Sequence, residues 1–172
     1  MLALILCSIL SATITGRVVS VHDGDTLTVL EGTTQIKVRL SEIDAPELKQ
    51  RYGRRATLAI VVCLLGRKVV IETAGEDRYG RTIGTVYLGP DSVNLWLVRN
   101  GWAWRYDRYN KSEALKAAQD AAKNGKLGLW ADPNPIPPWE WRKQKSPAPA
   151  PRASLEPNST ASDRCELLSA AD

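Results

Sequence analysis

The chain has 172 residues, the length of one ordinary domain with a short excess. Its composition is 44% hydrophobic and 24% charged, as in globular proteins, and no apolar run approaches the roughly 18 residues of a membrane-spanning helix. One histidine, His22, and three cysteines exclude the usual zinc ligand sets, a triad built on a distant histidine and a disulfide scaffold. The remaining chemistry must come from carboxylates, arginines and tyrosines.

The net charge of +4 is unevenly distributed. Residues 143–172 carry four basic and four acidic side chains, so the whole excess lies on the first 142 residues. A mildly basic body suits an anionic partner such as nucleic acid, although so small a charge is also compatible with an ordinary solvated surface.

The N-terminus, residues 1–12, is almost wholly apolar and is similar to the hydrophobic region of a signal peptide. The positive segment that normally precedes such a region is missing, since the first basic residue is Arg17. We expect an export signal and a periplasmic or secreted protein. The alternative is an apolar N-terminal strand.

Alternating apolar and polar residues predict an antiparallel meander of three short strands, at 14–21, 26–29 and 36–40. In the third strand this alternation places Arg39 on the face opposite to Val38 and Leu40. A helix is expected from about residue 51 to 65, where Gly66 ends it. Two further strands are predicted at 68–72 and 81–88.

The C-terminal part predicts two helices, an extended strap and a tail. The first helix covers 92–100, and the second begins at Asn110 with Glu113 as its capping-box partner. The strap, 133–141, is rich in proline and tryptophan and either packs on the body or serves as a polyproline ligand. Residues 143–172 have too little apolar content to fold and predict disorder.

Five strands and three helices in this order are typical of a small five-stranded Greek-key barrel of the OB-fold type, within the α+β class. Residues 13–142 would form this domain, between the signal peptide at 1–12 and the tail at 143–172.

Two short acidic stretches are candidates for a site. Asp23-Gly24-Asp25 forms a tight turn at a strand end, which either projects a carboxylate or is an ordinary hairpin turn. Asp44 and Glu47 flank a proline that fixes the local backbone. Two carboxylates and a free carbonyl are the oxygen ligands that Ca²⁺ prefers, and a further carboxylate could act as a general base. The alternative is a helix N-terminus, where acidic residues favour the helix dipole.

A third candidate stretch is basic and aromatic. Arg78 and Arg81 on either side of a Tyr-Gly pair could hold a phosphate, and Tyr79 could stack on a base. The alternative is a β-turn with solvated charges.

In this order and spacing, and with this strand pattern, the three stretches resemble the staphylococcal nuclease-like (thermonuclease) family, over roughly residues 14–130. The resemblance implies an OB-fold barrel that cleaves DNA and RNA with Ca²⁺. Its implied metal ligands are the carboxylates of Asp25 and Asp44 and the backbone carbonyl of Ala45. The staphylococcal member has a threonine at the position of Ala45, so a side-chain hydrogen bond is lost here while the carbonyl remains.

The resemblance also assigns the catalytic and substrate-binding roles. It implies that Glu47 is the general base, that Arg39 and Arg81 contact the scissile phosphate, and that Arg78 and Tyr79 position the nucleotide. The expected activity is a monomeric, calcium-dependent endonuclease that leaves 3′-phosphates on single-stranded DNA or RNA, with no stable protein partner. The tryptophan-rich block at 101–106 and the strap are similar to a bacterial exported subgroup. The alternative function is an OB-fold module that binds nucleic acid without cutting it.

Overall fold

The computed structural model describes residues 12–106 and 112–144. The predicted signal peptide and the predicted tail therefore lie almost wholly outside the described residues, and both stay predictions. Within the two described ranges, no helix combines the length and the apolar character needed to cross a membrane.

Eight strands and four α-helices are found in the described part of the chain. The strands are β1 (Thr13–Val21), β2 (Thr26–Glu31), β3 (Thr34–Leu40), β4 (Ile43–Asp44), β5 (Lys68–Glu76), β6 (Thr82–Leu88), β7 (Asp91–Ser92) and β8 (Trp104–Arg105). The helices are α1 (Gly53–Leu64), α2 (Val93–Arg99), α3 (Glu113–Asn124) and α4 (Pro138–Trp141), with a 3₁₀ turn at Gly128–Ala131.

Five of the strands close into a barrel. β1, β2 and β3 form the predicted antiparallel meander, β1 also pairs with β5, and β5 pairs with β6. A parallel pairing between β3 and β6 closes the ring. The predicted α+β fold with a five-stranded OB-type barrel is therefore confirmed, with one short helix, α4, beyond the three expected.

Alternation along the strands supplies the barrel core, because successive side chains point to opposite sheet faces. Large aliphatic side chains from five strands are completely buried: Val18, Leu27, Val29, Val38, Ile71 and Val86. In β3 the buried Val38 and Leu40 flank the partly exposed Arg39, as predicted.

Several element boundaries differ from the sequence prediction. Helix α1 begins at Gly53 because Tyr52 before it has left-handed backbone geometry, with φ of 67°.

The prediction that α3 begins at Asn110 with Glu113 as a capping-box partner is wrong. Asn110 lies outside the described residues, Glu113 is the first helical residue, and the Ser112 hydroxyl accepts from the Leu115 N–H at 3.3 Å as the N-cap.

The predicted strap is only partly extended. It ends in the single-turn helix α4, which has proline at its first position, where a missing N–H costs nothing. The polar contacts of this segment with the body are part of the candidate site.

Candidate active site

Two almost completely buried aspartates form the centre of the site. Asp25 is 2% exposed and lies at the end of the turn before β2, and Asp44 is 1% exposed and lies in β4. The Leu40 N–H donates to the Asp25 carbonyl at 2.9 Å, which holds the turn against the end of β3. Buried carboxylates require charged or hydrogen-bonding partners, so their surroundings define the chemistry.

Close packing joins the Asp-Gly-Asp turn to the segment that follows Asp44. The Ala45 N–H donates to Asp25 Oδ2 at 2.6 Å. A Cβ on Gly24 would lie 2.6 Å from the Ala45 Cβ and 3.0 Å from the Ala56 Cβ, so only glycine fits between them. The absence of a side chain at Gly24 thus allows the two acidic stretches to meet.

Replacing Gly24 by alanine is therefore expected to lower the free energy of unfolding by about 1–3 kcal/mol, the usual cost of overpacking. Thermal or denaturant unfolding measures this change. Gly125→Ala is the matched control, because Gly125 has an ordinary φ of −79° and the nearest atoms to its added Cβ would be Leu127 Cγ at 3.3 Å and the Ala121 carbonyl oxygen at 3.4 Å. Equal stability of the two variants would contradict the close-packing explanation.

Arg39 lies between the two aspartates. Its guanidinium forms an ion pair with Asp25 and donates to Asp44 Oδ1 at 2.8 Å. Arg39 is the antiparallel partner of Thr26, the residue after Asp25, so the β2–β3 register sets this contact. The shared guanidinium compensates two carboxylates that would otherwise repel each other in a poorly solvated place.

Glu47 lies beside this pair on a tight turn. Its carbonyl accepts from the Gln50 N–H at 2.7 Å, and its own N–H donates to Gln50 Oε1 at 3.1 Å. The Gln50 side-chain amide also donates to the Ile136 carbonyl of the strap at 2.6 Å. The Glu47 side chain remains 39% exposed, so its carboxylate can reach solvent.

Arg142, immediately after α4, completes the cluster and was not singled out from the sequence. Its guanidinium donates to Asp44 Oδ2 at 2.7 Å and to Glu47 Oε1 at 2.7 Å. The hydrogen bond with Asp44 is the main cause that raises the pKa of Arg142 above its ordinary value, and burial acts in the opposite direction. Because 98 residues separate Arg142 from Asp44, no local motif signals this contact.

The remaining predicted arginine of the phosphate site, Arg81, is held elsewhere. Its guanidinium pairs with Asp77 at 2.7 Å. Burial raises the pKa of the Asp77 carboxyl, but hydrogen bonds from the Arg81 N–H and guanidinium outweigh it, and the net shift is downward. Arg39 and Ile83 are partners in the β3–β6 pairing, so Arg81 lies two residues from the strand position next to Arg39.

Arg78 and Tyr79 occupy the exposed turn that precedes Arg81. The Arg78 guanidinium lies 4.8 Å from the centre of the Tyr79 ring and donates to its hydroxyl at 2.6 Å. Tyr79 is 68% exposed, which leaves its ring accessible to a ligand. The described hydrogen bonds and ion pairs of this turn do not join these two side chains to the aspartates.

The cluster offers carboxylate and carbonyl oxygens, which are the ligand type that a hard divalent cation prefers. Among the residues that the structure describes, no three His, Cys, Asp or Glu side chains form a metal-binding group. The candidate donor set is instead Asp25, Asp44 and the carbonyl of Ala45. Both aspartates already share one positive charge, the Arg39 guanidinium, so a metal cation could compensate the same two carboxylates. Ca²⁺ suits such a site, because it prefers oxygen ligands.

A buried side-chain amide holds the loop that precedes Asp44 in the chain. Asn94 at the start of α2 donates to the Ser41 carbonyl at 2.9 Å and accepts from the Val86 N–H at 3.0 Å. It thereby ties α2 and β6 to the loop that leads to Asp44. This amide helps to determine where β4 lies.

The barrel and its cluster of buried carboxylates and arginine side chains define an OB-type protein with a densely charged site. The family model described as "Staphylococcal nuclease homologue" matches residues 37–132. The chain belongs to this family, which confirms the resemblance; membership of an exported subgroup stays a prediction.

Similar proteins come from several bacteria. The chain is 45% identical over 133 residues to an "Uncharacterized endonuclease" of Escherichia coli, covering 76% of this chain and 86% of the relative. It is 43% identical over 125 residues to a Haemophilus influenzae protein with the same description, covering 72% and 70%. It is also 37% identical over 136 residues to a "Micrococcal nuclease" of Shigella flexneri, covering 73% and 78%.

Proposed function

We propose that this protein is a calcium-dependent phosphodiesterase that hydrolyses DNA and RNA within the strand. The observation that carries the proposal is the pair of buried aspartates, Asp25 and Asp44, which share Arg39 and lie beside the partly exposed Glu47. Membership of the nuclease homologue family and the names of the bacterial relatives support the same activity.

The metal would be held by Asp25, Asp44 and the Ala45 carbonyl. When bound there, Ca²⁺ supplies positive charge that favours a phosphodiester and the additional negative charge of its transition state. The near-complete burial of both aspartates strengthens such an interaction, because water screens it less.

The protein's own side chains would carry the proton and phosphate chemistry. Glu47 accepts a proton from the attacking water at its carboxylate, which is exposed enough to meet that water. Arg39 and Arg81 donate charge-assisted hydrogen bonds to phosphate oxygens, where negative charge develops. Water attack on phosphorus then leaves a 3′-phosphate and a 5′-hydroxyl.

The exposed turn before Arg81 would position the nucleotide. Tyr79 offers an accessible ring for base stacking, and Arg78 beside it offers a cation for the backbone. Stacking of this kind needs an unpaired base, which favours single-stranded substrates. We expect the protein to act as an exported monomer without a stable protein partner.

The test is cleavage of end-labelled single-stranded DNA and RNA by the full chain, with Ca²⁺ and then with excess chelator. Cleavage should appear with Ca²⁺, disappear with chelator and return when excess Ca²⁺ is restored. The return excludes damage by the chelator. The new 5′ ends of the DNA products should accept phosphate from polynucleotide kinase directly, and their 3′ ends should resist extension by terminal transferase until a phosphatase removes the phosphate.

Binding without cutting under every condition would contradict the proposal. It would instead support the non-catalytic OB-fold module. Cleavage that continues unchanged in chelator would contradict the calcium assignment alone.

A further inference from the structure

Arg142 directly follows the strap, and the strap together with Asp132 before it is anchored to the body independently of this arginine. Asp132 pairs with Arg51 at 2.7 Å, and Ile136 accepts from the Gln50 amide. The Trp139 ring lies 5.8 Å from Trp104, in an edge-on arrangement. The backbone before Arg142 is therefore fixed, and its side chain can change rotamer without moving the strap.

The Arg142 guanidinium lies against the carboxylates of the proposed site. It contacts Asp44 and Glu47, to which the proposed function assigns the cation and the attacking water. The Arg142 side chain is 46% exposed, whereas Asp44 is almost completely buried, so the guanidinium lies on the solvent side of Asp44. A phosphate that approaches these carboxylates comes within hydrogen-bond reach of Arg142.

The formal charges of the cluster change sign when a divalent cation binds. Three carboxylates, Asp25, Asp44 and Glu47, face two guanidiniums, Arg39 and Arg142, so the cluster alone carries a net −1. A bound divalent cation raises the net charge of the cluster to +1, and it compensates the Asp44 carboxylate in place of Arg142. One phosphodiester returns the sum to zero, which makes the substrate the natural partner of the released guanidinium.

We propose that Arg142, which follows the strap, is a substrate-binding residue of this site. Its guanidinium holds Asp44 and Glu47 in the free protein and donates to a phosphate of the strand in the complex. The inference rests on the proposed function, since it uses the same carboxylates and the same substrate. It adds a third arginine, from a different part of the chain, to Arg39 and Arg81.

The test compares Arg142→Gln and Arg142→Lys with Arg51→Gln. Arg51 is a matched control, because it also forms an ion pair, with Asp132 immediately before the strap, and its ion pair involves none of the three carboxylates. The first readout is steady-state cleavage of single-stranded DNA with saturating Ca²⁺. Losing one charge-assisted phosphate contact should raise KM about tenfold or more in Arg142→Gln, with a smaller rise in Arg142→Lys.

The second readout needs no catalysis. Binding of a cleavage-resistant phosphorothioate octanucleotide is measured at several salt concentrations in the presence of Ca²⁺. The slope of log K against log salt should become shallower by about 0.7 in Arg142→Gln, one single-strand phosphate contact, and should be retained in Arg142→Lys and Arg51→Gln.

The third readout is calorimetric titration with CaCl₂ alone. Arg142→Gln should bind Ca²⁺ at least as tightly as the unmodified chain, because a competing positive charge has been removed. Weaker Ca²⁺ binding and a lower Tm, with an unchanged salt slope, would overturn the proposal and make Arg142 a structural clamp.

A KM and a salt slope in Arg142→Gln equal to those of Arg51→Gln would also overturn it. Absence of cleavage by the unmodified protein would refute the proposed function instead. The salt slope would still decide the role of Arg142 in binding.

Discussion

Replacing Glu47 by glutamine is expected to slow calcium-dependent cleavage by about 10²- to 10⁴-fold, the usual contribution of a positioned general base. Glutamine preserves the size of the side chain and can still accept a hydrogen bond from Arg142, but it cannot take a proton from water. The rate constant at saturating substrate is the quantity to measure. Tm should change little, because the Glu47 side chain is 39% exposed.

Glu113→Gln is the matched control for this variant, since Glu113 is an exposed glutamate in the first turn of α3 and outside the cluster. It should cut as fast as the unmodified protein. Calcium binding by Glu47→Gln, measured by calorimetry, should persist, because Glu47 is not among the proposed ligands. Undiminished cleavage by Glu47→Gln would show that another group accepts the proton.

Replacing Arg39 by glutamine is expected to affect both stability and activity. The change leaves Asp25 and Asp44, each almost completely buried, without the cation that they share. Removing one partner of a buried ion pair costs about 3–5 kcal/mol of folding free energy. The loss of its phosphate contact should also slow cleavage by about 10²- to 10³-fold.

Calcium should restore part of the stability that Arg39→Gln loses. A cation bound between the two aspartates replaces the missing charge and stabilises the folded state by about 2.7 kcal/mol at 100 times its dissociation constant. Chemical denaturation with Ca²⁺ and with chelator measures this difference. The calcium-dependent gain should be larger than in the unmodified chain, where Arg39 already compensates the aspartates.

Arg51→Gln again provides the comparison for stability. Arg51 also pairs with an aspartate, but its side chain is 61% exposed, and such pairs contribute about 0–1 kcal/mol. If Arg39→Gln were no less stable than Arg51→Gln, the role of Arg39 in compensating the buried aspartates would be wrong.

Local sequence was sufficient for the two strands of the central hairpin. Alternation in β2 and β3 predicted both strands and the outward direction of Arg39, because the direction of a side chain along a strand follows a two-residue period. The β2–β3 register then places Arg39 next to the turn that carries Asp25. Family resemblance, rather than periodicity, predicted that Asp25, Arg39, Asp44 and Glu47 form one site.

Local signals were misleading where two candidate caps are close together. Asn110 and Ser112 are both good N-cap residues, and the Glu113 pattern favoured the earlier one. The structure uses Ser112, whose hydroxyl caps the Leu115 N–H. Similarly, the sequence predicted the start of α1 at about residue 51, but the left-handed backbone at Tyr52 places it at Gly53.

The sequence by itself determined the five barrel strands and the turn that carries Asp25, because these depend on neighbours within a few positions. Tertiary structure alone decided the closure of the barrel through the β3–β6 pairing and the arrival of Arg142 at Asp44 and Glu47. Both contacts join distant segments, whose separation depends on how the whole chain packs. Arg142 has no local signal, since a guanidinium becomes part of a site only through the carboxylates that folding brings to it.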